Sequence, residues 1–118
     1  MTALGIHLLA DLHGCQGLAD PARIEAALRA AVAATGATLL NLQLHHFGPG
    51  QGVTGVALLA ESHLSIHSWP EHGFAAIDIF LCGGADPGPA LDIIAAALCA
   101  ARIDARRVPR GLNLGTGA

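Results

Sequence analysis

Residues 60–83 read AESHLSIHSWPEHGFAAIDIFLCG, and two alternating stretches within this segment predict a β-hairpin. In the first stretch, Leu64 and Ile66 alternate with polar side chains, and residues 74–82 alternate in a similar way. The four residues between the stretches, PEHG at 70–73, include the proline and glycine that are typical of a tight turn. Strands joined by so short a connection are antiparallel. The segment therefore predicts an antiparallel sheet.

The register of this hairpin brings reactive side chains together. If the residues that flank the turn pair with each other, Glu61 lies opposite Cys82. The thiol of Cys82 then lies beside the Glu61–Ser62 peptide bond, on the polar face of the sheet that also carries His67. A hydroxyl, a thiol and an imidazole that converge on an exposed face form a candidate catalytic site.

The rest of the chain predicts four more strands and two helices. Each helix begins at an Asp-Pro pair, because aspartate caps free backbone amides and proline fits the first helical turn. After each pair, apolar side chains recur at helical spacing. The pairs are at residues 20–21 and 86–87, and the other strands are predicted at residues 4–12, 38–46, 53–60 and 103–108.

This order of elements predicts one domain, residues 1–118, of the α+β class. We expect a two-layer sandwich in which a largely antiparallel sheet carries both helices on one face. The other face is then left uncovered. Since 53% of the residues are hydrophobic, so small a chain has more apolar surface than it can bury alone. We therefore expect a homodimer that packs the sheet faces together.

The composition argues against several kinds of partner and compartment. Six basic and nine acidic residues give a formal charge of -3 without a basic block, so neither nucleic acid nor an anionic membrane is expected as a partner. No apolar run reaches membrane-spanning length and no signal peptide opens the chain, which predicts a cytoplasmic protein. Cys15, Cys82 and Cys99 are odd in number and widely spaced, so we expect free thiols.

Three other interpretations of the hairpin residues stay open. Ser62 and Cys82 could be a solvated hydroxyl and a small apolar thiol without a chemical role. His63, His67 and His72 could bind zinc, but ligands four residues apart in a strand are separated by roughly 13 Å, so we expect no metal. A serine hydrolase would need an oxyanion hole and a group that orients its histidine, and the chain has no G-x-S-x-G motif.

The hairpin and its surroundings resemble the prokaryotic S-adenosylmethionine decarboxylases, a family of pyruvoyl-dependent enzymes. The motifs that are similar to those of the family are ESHLSIHSWPE at 61–71, AAIDIFLCG at 75–83, LGIHLLADLHGC at 4–15 and HHFGPGQGVTGV at 45–56. The resemblance extends from Leu4 to Pro109, and an almost continuous match of eleven residues is highly specific.

The resemblance implies a proenzyme that cuts itself between Glu61 and Ser62. The products are a beta chain, residues 1–61, and an alpha chain, residues 62–118. Ser62 becomes a covalent pyruvoyl cofactor, which forms a Schiff base with the substrate amine.

The same resemblance implies roles for five further residues. His67 is the proton acceptor in self-processing, and Thr54 assists the cleavage. Cys82 is the proton donor in catalysis. Phe47 stacks on the adenine of the substrate, and Glu71 contacts its ribose.

The implied reaction is decarboxylation of S-adenosylmethionine, which produces the aminopropyl donor for spermidine synthesis. Two alternatives remain at this level. The chain could be a pyruvoyl-dependent decarboxylase of arginine or ornithine, since relatives with this fold act on those amino acids. It could also be an unprocessed partner subunit of an active relative, although it retains Ser62, His67 and Cys82 together.

Overall fold

Six strands, two α-helices and one short 3₁₀ helix form the computed structural model, which describes residues 3–114. In chain order they are β1 (Gly5–His13), α1 (Pro21–Thr35), β2 (Leu39–His46), β3 (Val53–Leu59), β4 (Ser62–Trp69), the 3₁₀ helix (Pro70–His72), β5 (Phe74–Cys82), α2 (Gly88–Ala97) and β6 (Arg102–Arg110). Every predicted strand and helix is present, with boundaries that differ by one or two residues at most of their ends.

The six strands form one antiparallel sheet in the order β2-β3-β4-β5-β1-β6. The first strand of the chain thus lies between β5 and β6, the last two strands. Both helices pack on one face of the sheet, and the core between them contains fully buried side chains such as Leu12, Leu28, Leu64, Ile79 and Ile94. The predicted α+β sandwich is confirmed.

The hairpin has the predicted register. Trp69 pairs with Phe74, and His63 pairs with Phe80. Gly73 ends the turn with a φ of 58°, a left-handed conformation that glycine adopts without a steric cost. Because the register is the predicted one, Leu64 and Ile66 point into the core as the alternation requires.

The first helix begins as predicted, and the second begins slightly later. Asp20 caps α1 by accepting a hydrogen bond from the Arg23 amide at 3.2 Å. Asp86 lies two residues before the first residue of α2, where it accepts hydrogen bonds from the Gly88 amide at 2.9 Å and from Arg107 Nη1 at 2.8 Å. These two hydrogen bonds, the Gly88 amide first, lower the pKa of the Asp86 carboxyl. Asp86 therefore joins the start of α2 to β6.

The face of the sheet opposite the helices is uncovered. Large apolar side chains stand exposed on it, including Val56, Leu58 and Trp69. Residues 3–114 contain no helix of the length and apolarity needed to cross a membrane. The packing of this face against a second chain stays a prediction.

Candidate active site

The Glu61–Ser62 bond lies in a tight turn between β3 and β4. Leu59 pairs with Ser62, so only Ala60 and Glu61 reverse the chain. Glu61 has a φ of 64°, in the left-handed region that costs a residue with a side chain about 1–2 kcal/mol. Strain of this kind is typical of functional sites. It lies directly next to the bond for which cleavage is predicted.

Cys82 contacts both residues of this bond. Its Sγ donates a hydrogen bond to the carbonyl oxygen of Glu61 at 2.6 Å, and its backbone amide donates to Ser62 Oγ at 3.1 Å. The predicted position of the thiol beside the bond is confirmed. A donor at a carbonyl oxygen stabilises the negative charge that develops there when a nucleophile attacks. The arrangement therefore favours attack on the Glu61 carbonyl by the neighbouring hydroxyl.

A cavity of about 480 Å³ opens beside the bond, and we call it the Ser62 cavity. It is lined by His7, Leu58, Leu59, Glu61, Ser62, His63, Phe80 and Arg110. The rings of His7, His63 and Phe80 contact one another, with centroids 5.9–6.0 Å apart. His7 Nε2 is buried and makes no hydrogen bond within the described residues, although Asp78 Oδ1 is 3.5 Å away. At that distance the carboxylate attracts a protonated imidazole without forming a good hydrogen bond.

His7, Phe80 and Arg110 were missed in the sequence analysis as residues of this site. His7 pairs with Phe80 because β1 lies beside β5, and Arg110 is brought in by the pairing of β6 with β1. Both pairings join distant parts of the chain. The one available signal was the histidine at position 7, which stands among apolar residues in the first half of the strand.

His67 lies near the other end of β4, beside Thr54 of β3. They pair across β3 and β4, and Thr54 Oγ1 is 3.1 Å from His67 Nδ1. His67 is five residues along the strand from Ser62, which corresponds to roughly 16 Å. The prediction that Ser62, His67 and Cys82 converge is therefore wrong within one chain. His67 and Cys82 share a face of the sheet, and two side chains on one face can still lie far apart.

A second cavity of about 300 Å³ surrounds His67, and we call it the His67 cavity. Its lining residues are Phe47, Gln51, Gly52, Thr54, His67, Ser68, Trp69 and Glu71. Four of the predicted site residues thus share one cavity. Phe47 is 61% exposed and Trp69 is 40% exposed, so both rings are available to a flat ligand. Trp69 was not predicted from the sequence as a site residue.

The zinc alternative that was weighed from the sequence has no ligand set in the described residues. No group of three or more His, Cys, Asp or Glu side chains within residues 3–114 is placed to hold a metal ion. His63 and His67 belong to one extended strand, and His72 lies in the turn beyond its end. The strand geometry therefore separates the three imidazoles.

Comparison with known proteins gives similarity over nearly the whole chain. A family model described as S-adenosylmethionine decarboxylase matches residues 6–111. The S-adenosylmethionine decarboxylase proenzyme of Thermomicrobium roseum is 44% identical over 113 residues, which is 95% of this chain and 97% of that protein. The proenzyme of the same description from Methanococcus maripaludis strain C7 is 47% identical, over 95% of this chain and 93% of that protein.

A solved structure is also similar. It is the crystal structure of the adenosylmethionine decarboxylase from Aquifex aeolicus VF5, which superposes with a TM-score of 0.86 at 38% sequence identity. The match covers 97% of this chain and 96% of that one. Both cavities lie within the region that these comparisons match.

Proposed function

The chain belongs to the S-adenosylmethionine decarboxylase family, and we propose that it decarboxylates S-adenosylmethionine with a pyruvoyl group made from its own Ser62. The product would be the aminopropyl donor for spermidine synthesis. The observation that carries the proposal is the contact of Cys82 Sγ with the carbonyl oxygen of Glu61 at 2.6 Å, at a residue whose φ of 64° is strained. The names of the relatives support S-adenosylmethionine over arginine or ornithine as the substrate.

Self-cleavage would begin at the Ser62 hydroxyl. Its Oγ attacks the carbonyl carbon of Glu61, and the amide becomes an ester as the nitrogen takes up the proton. A base then removes the α-proton of Ser62, and Glu61 leaves as a carboxylate. Water hydrolyses the dehydroalanine that remains at position 62 to a pyruvoyl group, and ammonia is released. The strain at Glu61 and the thiol hydrogen bond to its carbonyl support the first step, because both make the planar amide easier to attack.

The residues around Ser62 fit the group that this cleavage would produce. A pyruvoyl group supplies a carbonyl that binds the substrate amine and accepts the electrons released as carbon dioxide departs. Ser62 is partly exposed at the wall of the Ser62 cavity, so a small amino acid could reach it. Cys82 lies beside position 62 and would return a proton to the α-carbon of the substrate.

The base poses a problem of distance, because His67 lies roughly 16 Å along β4 from the Ser62 of its own chain. A second chain packed on the uncovered face would solve it. Both cavities have lining residues on this face. In a two-fold symmetric pair, a part of one face that lies away from the axis meets a different part of the other face. We therefore propose a homodimer in which the partner's Thr54–His67 pair faces Ser62.

The same packing would complete the substrate site. The Ser62 cavity of one chain and the His67 cavity of the other would join, since they lie at opposite ends of β4. The amino-acid part of the substrate would then lie near Ser62. Its adenine would stack on the partner's Phe47, and its ribose hydroxyls would donate to the partner's Glu71. Arginine and ornithine have neither an adenine nor a ribose to occupy this part of the site.

Intact-mass measurement of the purified protein tests this proposal. We expect two chains, residues 1–61 and 62–118, with the second chain lighter by one ammonia than a chain that begins with serine. The Ser62→Ala variant should stay whole because it lacks the nucleophile. Carbon dioxide release should follow with S-adenosylmethionine and not with arginine or ornithine. A whole wild-type chain without activity would overturn the proposal in favour of a partner subunit.

A further inference from the structure

Cys15 and Cys99, which have no role in the proposed reaction, are held side by side. Both are free thiols in the structure, as the sequence analysis predicted. The amide of Gln16 donates a hydrogen bond to the carbonyl of Leu98 at 2.7 Å. Each cysteine is the direct neighbour of one of these residues, so bond lengths place the two Cα atoms at most ~8 Å apart. The Cα atoms of a disulfide are about 4.4–6.8 Å apart, so a small movement of the backbone would be enough to form the bond.

A second backbone hydrogen bond holds the same two segments beyond the cysteines. The Ala101 amide donates to the His13 carbonyl at 2.8 Å, so the segment after β1 and the segment after α2 run antiparallel past each other. Burial and then the nearby Cys99 thiol raise the pKa of the Cys15 thiol. The two hydrogen bonds therefore place Cys15 and Cys99 opposite each other on a pair of tethered segments.

Cys99 has a conformation in which glycine is usual. It follows α2 with a φ of 53°, and the Ala100 amide bonds back to the Ala95 carbonyl at 3.0 Å, as in a Schellman motif. Arg23 donates to Cys99 Sγ at 3.5 Å through Nη2 and to the Ala97 carbonyl at 2.9 Å through Nε. The exposed thiol is thus oriented by a guanidinium that is itself fixed to the end of the helix.

The third cysteine is too far away to compete. Cys15 donates a backbone hydrogen bond to Gly73, which directly precedes β5. Cys82 is the last residue of β5, nine residues further along an extended chain, or roughly 30 Å away. Oxidation at the cysteine pair would leave the thiol of the proposed active site untouched.

We propose that Cys15 and Cys99 form a reversible disulfide in response to hydrogen peroxide. The exposed Cys99 thiol is oxidised first, to a sulfenic acid, and one water is released. The Cys15 thiol then attacks that sulfur, a second water leaves, and the S–S bond forms. The two thiols lose two protons and two electrons in total, and one peroxide is reduced to two waters.

The disulfide would have a particular consequence for a cut chain, and this part rests on the proposed function. Cys15 belongs to residues 1–61 and Cys99 to residues 62–118. An oxidised pair would therefore join the two products of self-cleavage by a covalent bond. In an uncut chain the same bond would only close a loop.

A Ser62→Ala, Cys82→Ser variant tests the disulfide without depending on cleavage, because it stays whole and keeps only these two thiols. Hydrogen peroxide should lower its intact mass by two hydrogens, and dithiothreitol should restore it. A non-reducing tryptic digest should contain the peptide that ends at Arg23 linked to the peptide that ends at Arg102. Adding Cys99→Ser to this variant should abolish both changes.

Two results would overturn the proposal. One is the addition of oxygen to Cys99 without the loss of two hydrogens, and the other is a disulfide that forms only between molecules. For the wild-type protein we expect one full-length band on a non-reducing denaturing gel after peroxide treatment, and two shorter bands after reduction. A single band under both conditions would count against self-cleavage, not against the disulfide, since the uncut variant reports on the disulfide separately.

Discussion

The two ends of β4 differ in how their backbone is held. At the first end, Glu61 is strained and the reactive groups meet in a two-residue turn. At the other end, His67 is paired with Thr54 on one side and with Ala76 on the other, in regular antiparallel geometry. Strain beside a bond promotes its cleavage, whereas a rigid sheet holds side chains that must keep their position. One strand can therefore provide both a strained cleavage site and a rigidly held histidine, because the two lie at opposite ends of it.

The first experiment asks whether the two ends of β4 act within one chain or between two chains, and it should change chain cleavage more than any other. Ser62→Ala and His67→Ala should each stay whole when expressed alone, because one lacks the nucleophile and the other lacks the base. When they are co-expressed, the His67→Ala chain should be cut, since its partner supplies His67. Intact-mass measurement distinguishes the two chains, and at equal expression the change expected is from none to about half of the His67→Ala chain, the share that pairs with a Ser62→Ala chain.

A matched control separates this effect from simple stabilisation by a partner. Co-expression of His67→Ala with a chain that carries both substitutions should not restore cleavage. If His67→Ala is cut when alone, His67 is not the base. If mixed dimers form and no chain is cut, the two ends of β4 do not act between chains.

The next largest effect isolates the first end of β4. Cys82→Ala should lower the rate of decarboxylation by about 10²–10⁴-fold, the usual contribution of a general acid. Cleavage should be slowed and not abolished, because Ser62 Oγ and the strain at Glu61 both remain. Product formation per cut chain is the quantity to measure. Cys82→Ser, which keeps a proton donor, should lose less, and equal rates for all three proteins would remove Cys82 from the reaction.

Substitutions at Glu61 test the role of the strain and should have the smallest effect on cleavage. Glu61→Gly permits the left-handed conformation without a steric cost, so it should slow cleavage by about tenfold if roughly 1–2 kcal/mol of strain drives the reaction. Glu61→Ala keeps the strain and removes the carboxylate, and it should be cut at a rate close to that of the wild type. The time course of chain cleavage decides between them. If both variants slow equally, the carboxylate matters and the strain does not.

Much of the fold could be predicted from the sequence because its signals are local. The hairpin register follows from the length of its turn, and the start of α1 follows from the Asp20 cap. The insertion of β1 between β5 and β6 was not predicted, because pairing between distant strands leaves no local pattern. The start of α2 was placed slightly early, since Asp86 binds the Gly88 amide and Arg107 from a position just outside the helix.

The candidate site divides in the same way. The contact between Cys82 and the Glu61–Ser62 bond depends only on the hairpin register, so alternation was enough to find it. The separation of His67 from the Cys82 contact required a measure of length along the strand, which the face that the two side chains share does not provide. His7 and Arg110 reach the Ser62 cavity through long-range pairing, and no spacing in the sequence indicates this.

The position of β1 between β5 and β6 has a consequence for the reversibility of unfolding. A cut between Glu61 and Ser62 would leave β1 in one chain and both of its neighbours in the other. The two chains would then be interleaved, and they could not separate without breaking the sheet. Once unfolded and diluted, the two chains would have to associate again. Refolding would then be a second-order process, and its rate would decrease as the protein is diluted. The uncut chain is thus the form from which this sheet assembles in a unimolecular reaction.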